Sequence, residues 1–214
     1  MPHYLDLDAW PRKSAFDYFN EFDNPYFDVT APVDVTALRL RAKARGIPFS
    51  HAVLYLAMRV ANEYEPFRYR LEQGRVLVHD RIHGSTTTLL GDERLAFLYF
   101  EYSPDLSVFL ASIKAGREDL DTPPAEMDPR WDRSDIIHFS WLPWVTFTSI
   151  SHPRKWGRED SVPKITFGKY EEVGERLRMP VSVAAHHALM DGLHVGRYFE
   201  KLQEALDQPE WLRR

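Results

Sequence analysis

The chain has 214 residues, 44% hydrophobic and 28% charged, which is enough for one sizeable core within the ordinary composition of globular domains. Its 27 Lys and Arg are outnumbered by 32 Asp and Glu, which argues against the basic footprint of a nucleic-acid binder. It has no cysteine, hence no disulfide framework, no thiol nucleophile and no Cys-bearing zinc site.

"MPHYLDLDAWPRKS" lacks the pattern of a secretory leader, and no apolar run approaches membrane-spanning length. A cytoplasmic protein without a membrane partner is therefore expected. Aromatics make up 14% of the chain, more rigid surface than core filling usually needs, so some should line an interface or a pocket.

Taken in order, "LDAWPRKSAFDYFNEF" predicts a short helix with Ala15, Phe16 and Phe19 at helical spacing. "YFDVTAPVDV" alternates like a strand, with an interruption expected at Pro32. "TALRLRAKARG" predicts a helix ending at Gly46. "SHAVLYLAMRVANEY" predicts a buried helix capped by Ser50, with Val53, Leu56, Ala57, Val60, Ala61 and Tyr64 on its stripe.

"FRYRLEQGRVLVHD" reads as a hairpin turning at Gln73-Gly74. "STTTLL" and "LAFLYFEY" read as strands. "PDLSVFLASIKAGREDL" is a helix facing inward through Leu106, Phe109, Leu110 and Ile113. "DTPPAEMDPRWDRSD" is a polar, proline-rich loop, and "IIHFSWLPWVTFTSI" is strand-rich. "PKITFGKYEEVGERLRMPVSVAAHH" forms a hairpin at Gly174 with a long second arm, and "HVGRYFEKLQEAL" closes the chain as a helix. With no repeat or linker, this predicts one α+β domain over 1–214, with helices packed on one face of a mixed sheet.

The chemistry concentrates in "AAHHALMDGLHVGRYFEKLQ", residues 184–203. In a helix or tight turn, His187 and Asp191 share a side while His186 points elsewhere. A neutral imidazole suits proton removal near pH 7. His187, Asp191 and His194 also fit the spacing of a metal set, but Gly192 breaks the helical face and no glutamate completes an HExxH pattern, so a metal-free site ranks higher. The bland alternative is two interior histidines, with Asp191 capping the next helix.

"HHALMDGLHVGRYFEKLQ" resembles the HHxxxDGxHxxR signature of the type A trimeric chloramphenicol acetyltransferases. "WPRKSAFDYF", "FRYRL", "FSWLPWVTFTS" and "ITFGKY" resemble further segments of that family in the same order. The HHxxxDG element is shared with dihydrolipoyl acyltransferase cores and peptide-synthetase condensation domains, but the Trp10/Arg12 and Pro143-Trp144 segments favour the first family.

The resemblance implies an acetyl-CoA-dependent transfer to a hydroxyl acceptor without a covalent acyl-enzyme, in a homotrimer with sites at the subunit interfaces. Under it His187 is the general base, Ser140 supports the oxyanion, and Thr166 assists through water. Asp191 pairs with Arg12 to hold the site. Trp144, Lys169 and Tyr170 match positions near CoA, and Phe19, Phe27 and His138 match the acceptor pocket.

Departures from the family pattern fall in both binding regions. Pro48 and Ser50 stand where relatives carry a cation and an aromatic residue. In the acceptor pocket Phe19 replaces a tyrosine, Pro25 a small or thiol residue, His138 an asparagine or aromatic, and Met190 a cysteine. Two rivals follow: an acyltransferase for another alcohol, amine or thiol, and a trimeric binding protein without turnover. Intact His187, Ser140, Thr166, Asp191 and Arg12 weigh against the second.

Overall fold

The computed structural model describes residues 1–91, 93–121, 130, 133–154 and 160–208. Its strands are β1 (His3–Tyr4), β2 (Tyr26–Asp34), β3 (Tyr69–Glu72), β4 (Arg75–Val78), β5 (His83–Leu89), β6 (Leu95–Phe100), β7 (Ile136–Leu142), β8 (Lys164–Gly168), β9 (Glu171–Val173) and β10 (Arg176–His186). Its helices are α1 (Lys13–Phe19), α2 (Thr36–Ala44), α3 (Phe49–Glu63), α4 (Leu106–Glu118) and α5 (Gly192–Asp207). Among the described residues the main sheet has seven strands in the order β2-β10-β8-β7-β5-β6, with β9 on the outer part of β10, and β1-β4-β3 form a second, small sheet. β7 is parallel to both β5 and β8 while the other pairings are antiparallel, so the sheet is mixed as expected.

Strand alternation sorts the main sheet into two unlike faces. Phe139, Ile165, Val183 and Val29 follow one another across one row of four strands, and Phe167, Val181 and Ala31 across the next. Phe139, Ile165, Phe167, Val181 and Val183 are sealed in the core beneath the helices, with exposures of 1% or less. The opposite face is polar: Ser85, His138 and Lys164 make one row, and Ser140, Thr166, Ser182 and Thr30 another.

α3 is buried through most of its length, from Ala52 to Met58 and at Val60 and Ala61, and it packs against α2, α4 and α5. α5 lies along β2 and α4 along β6. The small sheet is tied to the main one by Arg70. This residue is fully buried, and its guanidinium donates to the carbonyls of Phe67, Tyr69, Ser134 and Ile136 at 2.5–3.1 Å. A buried cation is tolerated only when its donors are satisfied in this way.

Several expectations need correction. Pro32 does not interrupt β2, because β2 is the edge strand, where proline sacrifices no ladder bond, and Pro32 faces Pro180 in register. Pro48, not Ser50, precedes α3, and Ser50 lies within its first turn without capping it. α5 begins at Gly192. Of "IIHFSWLPWVTFTSI" only Ile136–Leu142 is strand. Leu110 on α4 faces inward as expected, half-buried and packed against the core.

The hairpin at Gln73-Gly74 turns as expected, with φ of 51° and 70°, the pair of positive values a tight two-residue hairpin turn requires. The loop expected at 121–135 lies largely outside the described residues. No helix among the described residues is long and apolar enough to cross a membrane.

Candidate active site

β10 ends at His186, and strand alternation sends the two adjacent histidines to opposite sides. His186 is 4% exposed, stands edge-on to the Tyr26 ring at 5.0 Å, and accepts the Ala188 N–H at its Nδ1. Burial, then the nearby Arg154 charge, pushes its pKa down to about 4. It is an interior histidine, as the bland reading had it.

His187 differs. Its N–H donates to the Pro25 carbonyl at 2.7 Å. Its ring lies stacked on Phe19, 3.7 Å between centroids at 16°, with Phe27 at 4.7 Å on a tilt. Among the described residues its buried Nδ1 has no hydrogen-bond partner, so Nε2 is the ring nitrogen left to meet an acceptor.

The backbone turns through 187–190 instead of running as a helix, and Asp191 is the N-cap of α5. Its carboxylate accepts the Leu193 N–H at 3.0 Å and bonds His194 Nδ1 at 2.7 Å. The same carboxylate pairs with Arg12 Nη1, and Arg12 Nη2 donates to the His187 carbonyl at 3.0 Å. The capping role and the Arg12 pairing therefore coexist in one residue. Burial works to raise the Asp191 pKa, but the His194 hydrogen bond, with the His194 and Arg12 charges, holds it below the ordinary carboxylate value.

His194 is engaged with Asp191 while the His187 ring sits between Phe19 and Phe27, so these residues do not converge as a ligand set. Among the described residues no group of three or more His, Asp and Glu is placed to hold a metal ion.

The other expected residues lie on the polar face of the sheet. Ser140 on β7 and Thr166 on β8 are register partners. Thr166 is fully buried, with Oγ1 3.1 Å from Nε2 of His152. A cavity of about 640 Å³ is lined by Ser140, Trp141, Trp144, Ile150 and His152, together with Leu54 of α3, Thr86–Leu89 of β5 and Ile113 of α4. Its polar contributors include Ser50, His51 and Arg117.

Lys169 and Tyr170 do not line this cavity. Tyr170 packs against Phe49, and its hydroxyl accepts from Arg39. His138 also stands off it, with Nδ1 2.7 Å from the Ser85 hydroxyl and its pKa pushed down to about 4 by burial and the Lys164 charge. His152 went unnoticed in the sequence because "SISHPRKW" carries no spacing signal. Only the fold of the segment after β7 brings it over Thr166.

Within one chain the two groups stay apart. Ser140, Thr166 and Ser182 share a row, and His187 comes five positions after Ser182. At ~3.3 Å per residue that is roughly 16 Å along the strand, with two strand spacings, roughly 10 Å, across the sheet.

A family model described as chloramphenicol acetyltransferase matches residues 3–203. The chain belongs to the chloramphenicol acetyltransferase family. It is 32% identical over 216 residues to the chloramphenicol acetyltransferase of Streptomyces acrimycini, covering 99% of this chain and 97% of that protein. To chloramphenicol acetyltransferase 2 of Escherichia coli it is 30% identical over 207 residues, covering 95% and 96%.

A solved chloramphenicol acetyltransferase superposes with a TM-score of 0.84 at 30% identity, over 96% of this chain and 100% of that one. The dihydrolipoamide acetyltransferase of Azotobacter vinelandii superposes at 0.65 with 15% identity, over 94% and 88%. That second likeness is one of fold alone.

Proposed function

We propose that this chain, as one domain, transfers an acetyl group from acetyl-CoA to a hydroxyl of chloramphenicol, the substrate that its relatives' names carry. The observation that carries the reading is His187. Its imidazole is held between two aromatic rings with Nε2 as the available nitrogen, on a turn pinned by Arg12 and Asp191.

In this role Nε2 takes the proton of the acceptor hydroxyl as the oxygen attacks the thioester carbonyl. The C–S bond then breaks, and the departing thiolate recovers that proton from His187, so no acyl-enzyme forms. Ser140 donates to the carbonyl oxygen as it gains charge, an interaction whose removal commonly costs about 10²–10³ in rate. Thr166, in the neighbouring register position, assists. Phe19, Phe27 and His138 are assigned to the acceptor side. Trp144, exposed at the cavity wall, is assigned to CoA, with Lys169 and Tyr170 further out.

The separation of His187 from Ser140 supports an assembly in which one copy supplies the base and another the oxyanion donor. We assign it as a homotrimer with three interface sites. Exposed apolar residues on both halves support such a contact: Tyr18 and Phe22 beside Phe19, and Leu89, Leu95 and Trp144 around the cavity.

The test is thiol release from acetyl-CoA with and without chloramphenicol, beside His187→Ala shown by circular dichroism and light scattering to be folded and in the same assembly. Chloramphenicol-dependent release, lost in the variant, supports the reading, and no release above background removes chloramphenicol as acceptor. A different alcohol, amine or thiol acceptor is the second reading, favoured by the polar His152 ring in the cavity wall. A panel of alcohols, amines and thiols separates the two.

A further inference from the structure

We propose that His152 is a positioning residue: its Nε2–H donates to the Thr166 hydroxyl oxygen and thereby turns the Thr166 proton toward the oxygen that gains charge during transfer. This rests on the acetyl-transfer reading and adds to it a residue from outside the HHxxxDG turn.

The geometry narrows what Thr166 can do. Its side chain is fully buried on β8 between β7 and β10, and Oγ1 has His152 Nε2 at 3.1 Å. A hydroxyl has one proton to give and can rotate it, so a lone threonine is an unreliable donor. A neutral imidazole removes that freedom, because each ring nitrogen is either a donor or an acceptor. Burial and the charges of Lys164 and Arg154 push the His152 pKa down to about 4, so the ring is neutral at pH 7.

Two tautomers are then available. With the proton on Nδ1, Thr166 donates to Nε2 and presents only lone pairs to its neighbours, which repels a developing negative charge. With the proton on Nε2, the Thr166 lone pair is occupied and its proton is free to point elsewhere. Ser140 is the register neighbour of Thr166 and lines the same cavity as His152. The second tautomer therefore sets two hydroxyl donors side by side, the arrangement that stabilises an anionic oxygen.

Nitrogen-15 correlation spectra of the imidazole at pH 7 read the tautomer directly. We expect a protonated Nε2 and a bare Nδ1 at His152, and a bare Nε2 would overturn the proposal without recourse to activity. A kinetic cycle reads the coupling through His152→Leu, Thr166→Val and the double variant.

His152→Leu should lower kcat about tenfold, with KM for both substrates within twofold, and should cost nothing further once Thr166 is Val. The same loss in both backgrounds, or a raised KM with kcat intact, would show that the ring acts independently of the hydroxyl and sink the idea. His152→Gln, which keeps a side-chain N–H donor, should recover most of kcat and guards against a Leu variant that misfolds. Absence of turnover in the unmodified protein counts against the acetyl-transfer reading, whereas turnover without coupling counts against this proposal alone.

Discussion

Arg12 spans the turn between His187 and Asp191, with one Nη on the His187 carbonyl at 3.0 Å and the other on the Asp191 carboxylate. The fork thus fixes the turn that carries His187 to the start of α1, whose Phe19 stacks on the His187 ring. A lysine has one charged nitrogen where the guanidinium has a planar fork. Arg12→Lys should therefore hold the carboxylate but release the carbonyl, lowering kcat/KM about tenfold with a small change in melting temperature.

Asp191→Ala removes the α5 cap as well as the pair. A lost cap alone costs about 1 kcal/mol, and the half-buried Arg12 is left without its carboxylate. Its melting temperature should fall by several degrees more than that of Arg12→Lys, as read by scanning calorimetry. Equal shifts would mean that the cap contributes little.

Acid stability separates two windows. His79, His138, His152 and His186 are each pushed down to about 4, with burial the first cause in every case. In the unfolded chain each titrates near 6.5. Between these values the unfolded state binds protons that the fold refuses, so stability falls as pH drops from about 6.5 toward 4 and levels off below.

The slope is at most about 1.4 kcal/mol per pH unit for each fully refused proton. Asp191, held below the ordinary carboxylate value by His194 and Arg12 against its burial, loses its contribution only as pH falls further, through its own lowered pKa. Urea midpoints at pH 7.5, 6.0 and 5.0 should decline in the unmodified protein and decline less in His186→Asn. A flat profile between pH 7.5 and 5.0 would contradict the buried neutral histidines.

Strand patterns were legible wherever one face is apolar and the other polar, as on β7, and helix patterns wherever a stripe faces the core, as on α4. The HHxxxDG turn was legible because its residues are close in sequence and the His186 and Asp191 side chains each bond a residue two or three positions on. Pro32 misled because the cost of a proline depends on whether its strand lies at an edge, which a single strand does not reveal. Ser50 misled because a good capping residue is passed over when a proline before it already sets the entry to the helix. His152 was invisible because its partner, Thr166, is fourteen positions away, a separation that matches neither helix nor strand periodicity.

α4 carries a glycine where a methyl group has no room. A Cβ at Gly116 would sit 2.1 Å from the backbone oxygen of Tyr99 on β6, and a backbone atom cannot swing aside. Alanine improves helix propensity by about 1 kcal/mol, but overpacking of this kind costs about 1–3 kcal/mol or more. Gly116→Ala should therefore be net destabilising and should push α4, with Ile113, away from the cavity. A rise in urea midpoint would show that α4 shifts at no cost.

Arg117 follows from the departures at Pro48 and Ser50, neither of which supplies a cation or an aromatic ring at its own position beside the start of α3. On the cavity lining, Arg117 from the last turn of α4 lies close enough to His51 for its charge to help lower that imidazole, after burial. No carboxylate pairs with Arg117 among the described residues, so its charge is available to an anionic ligand. CoA carries phosphates, and an exposed guanidinium attracts them with a salt-sensitive interaction. Arg117→Ala should raise KM for acetyl-CoA about three- to tenfold, leave KM for the acceptor and kcat nearly unchanged, and weaken the salt dependence of KM. An unchanged KM for acetyl-CoA at low salt would assign the phosphates to another part of the surface.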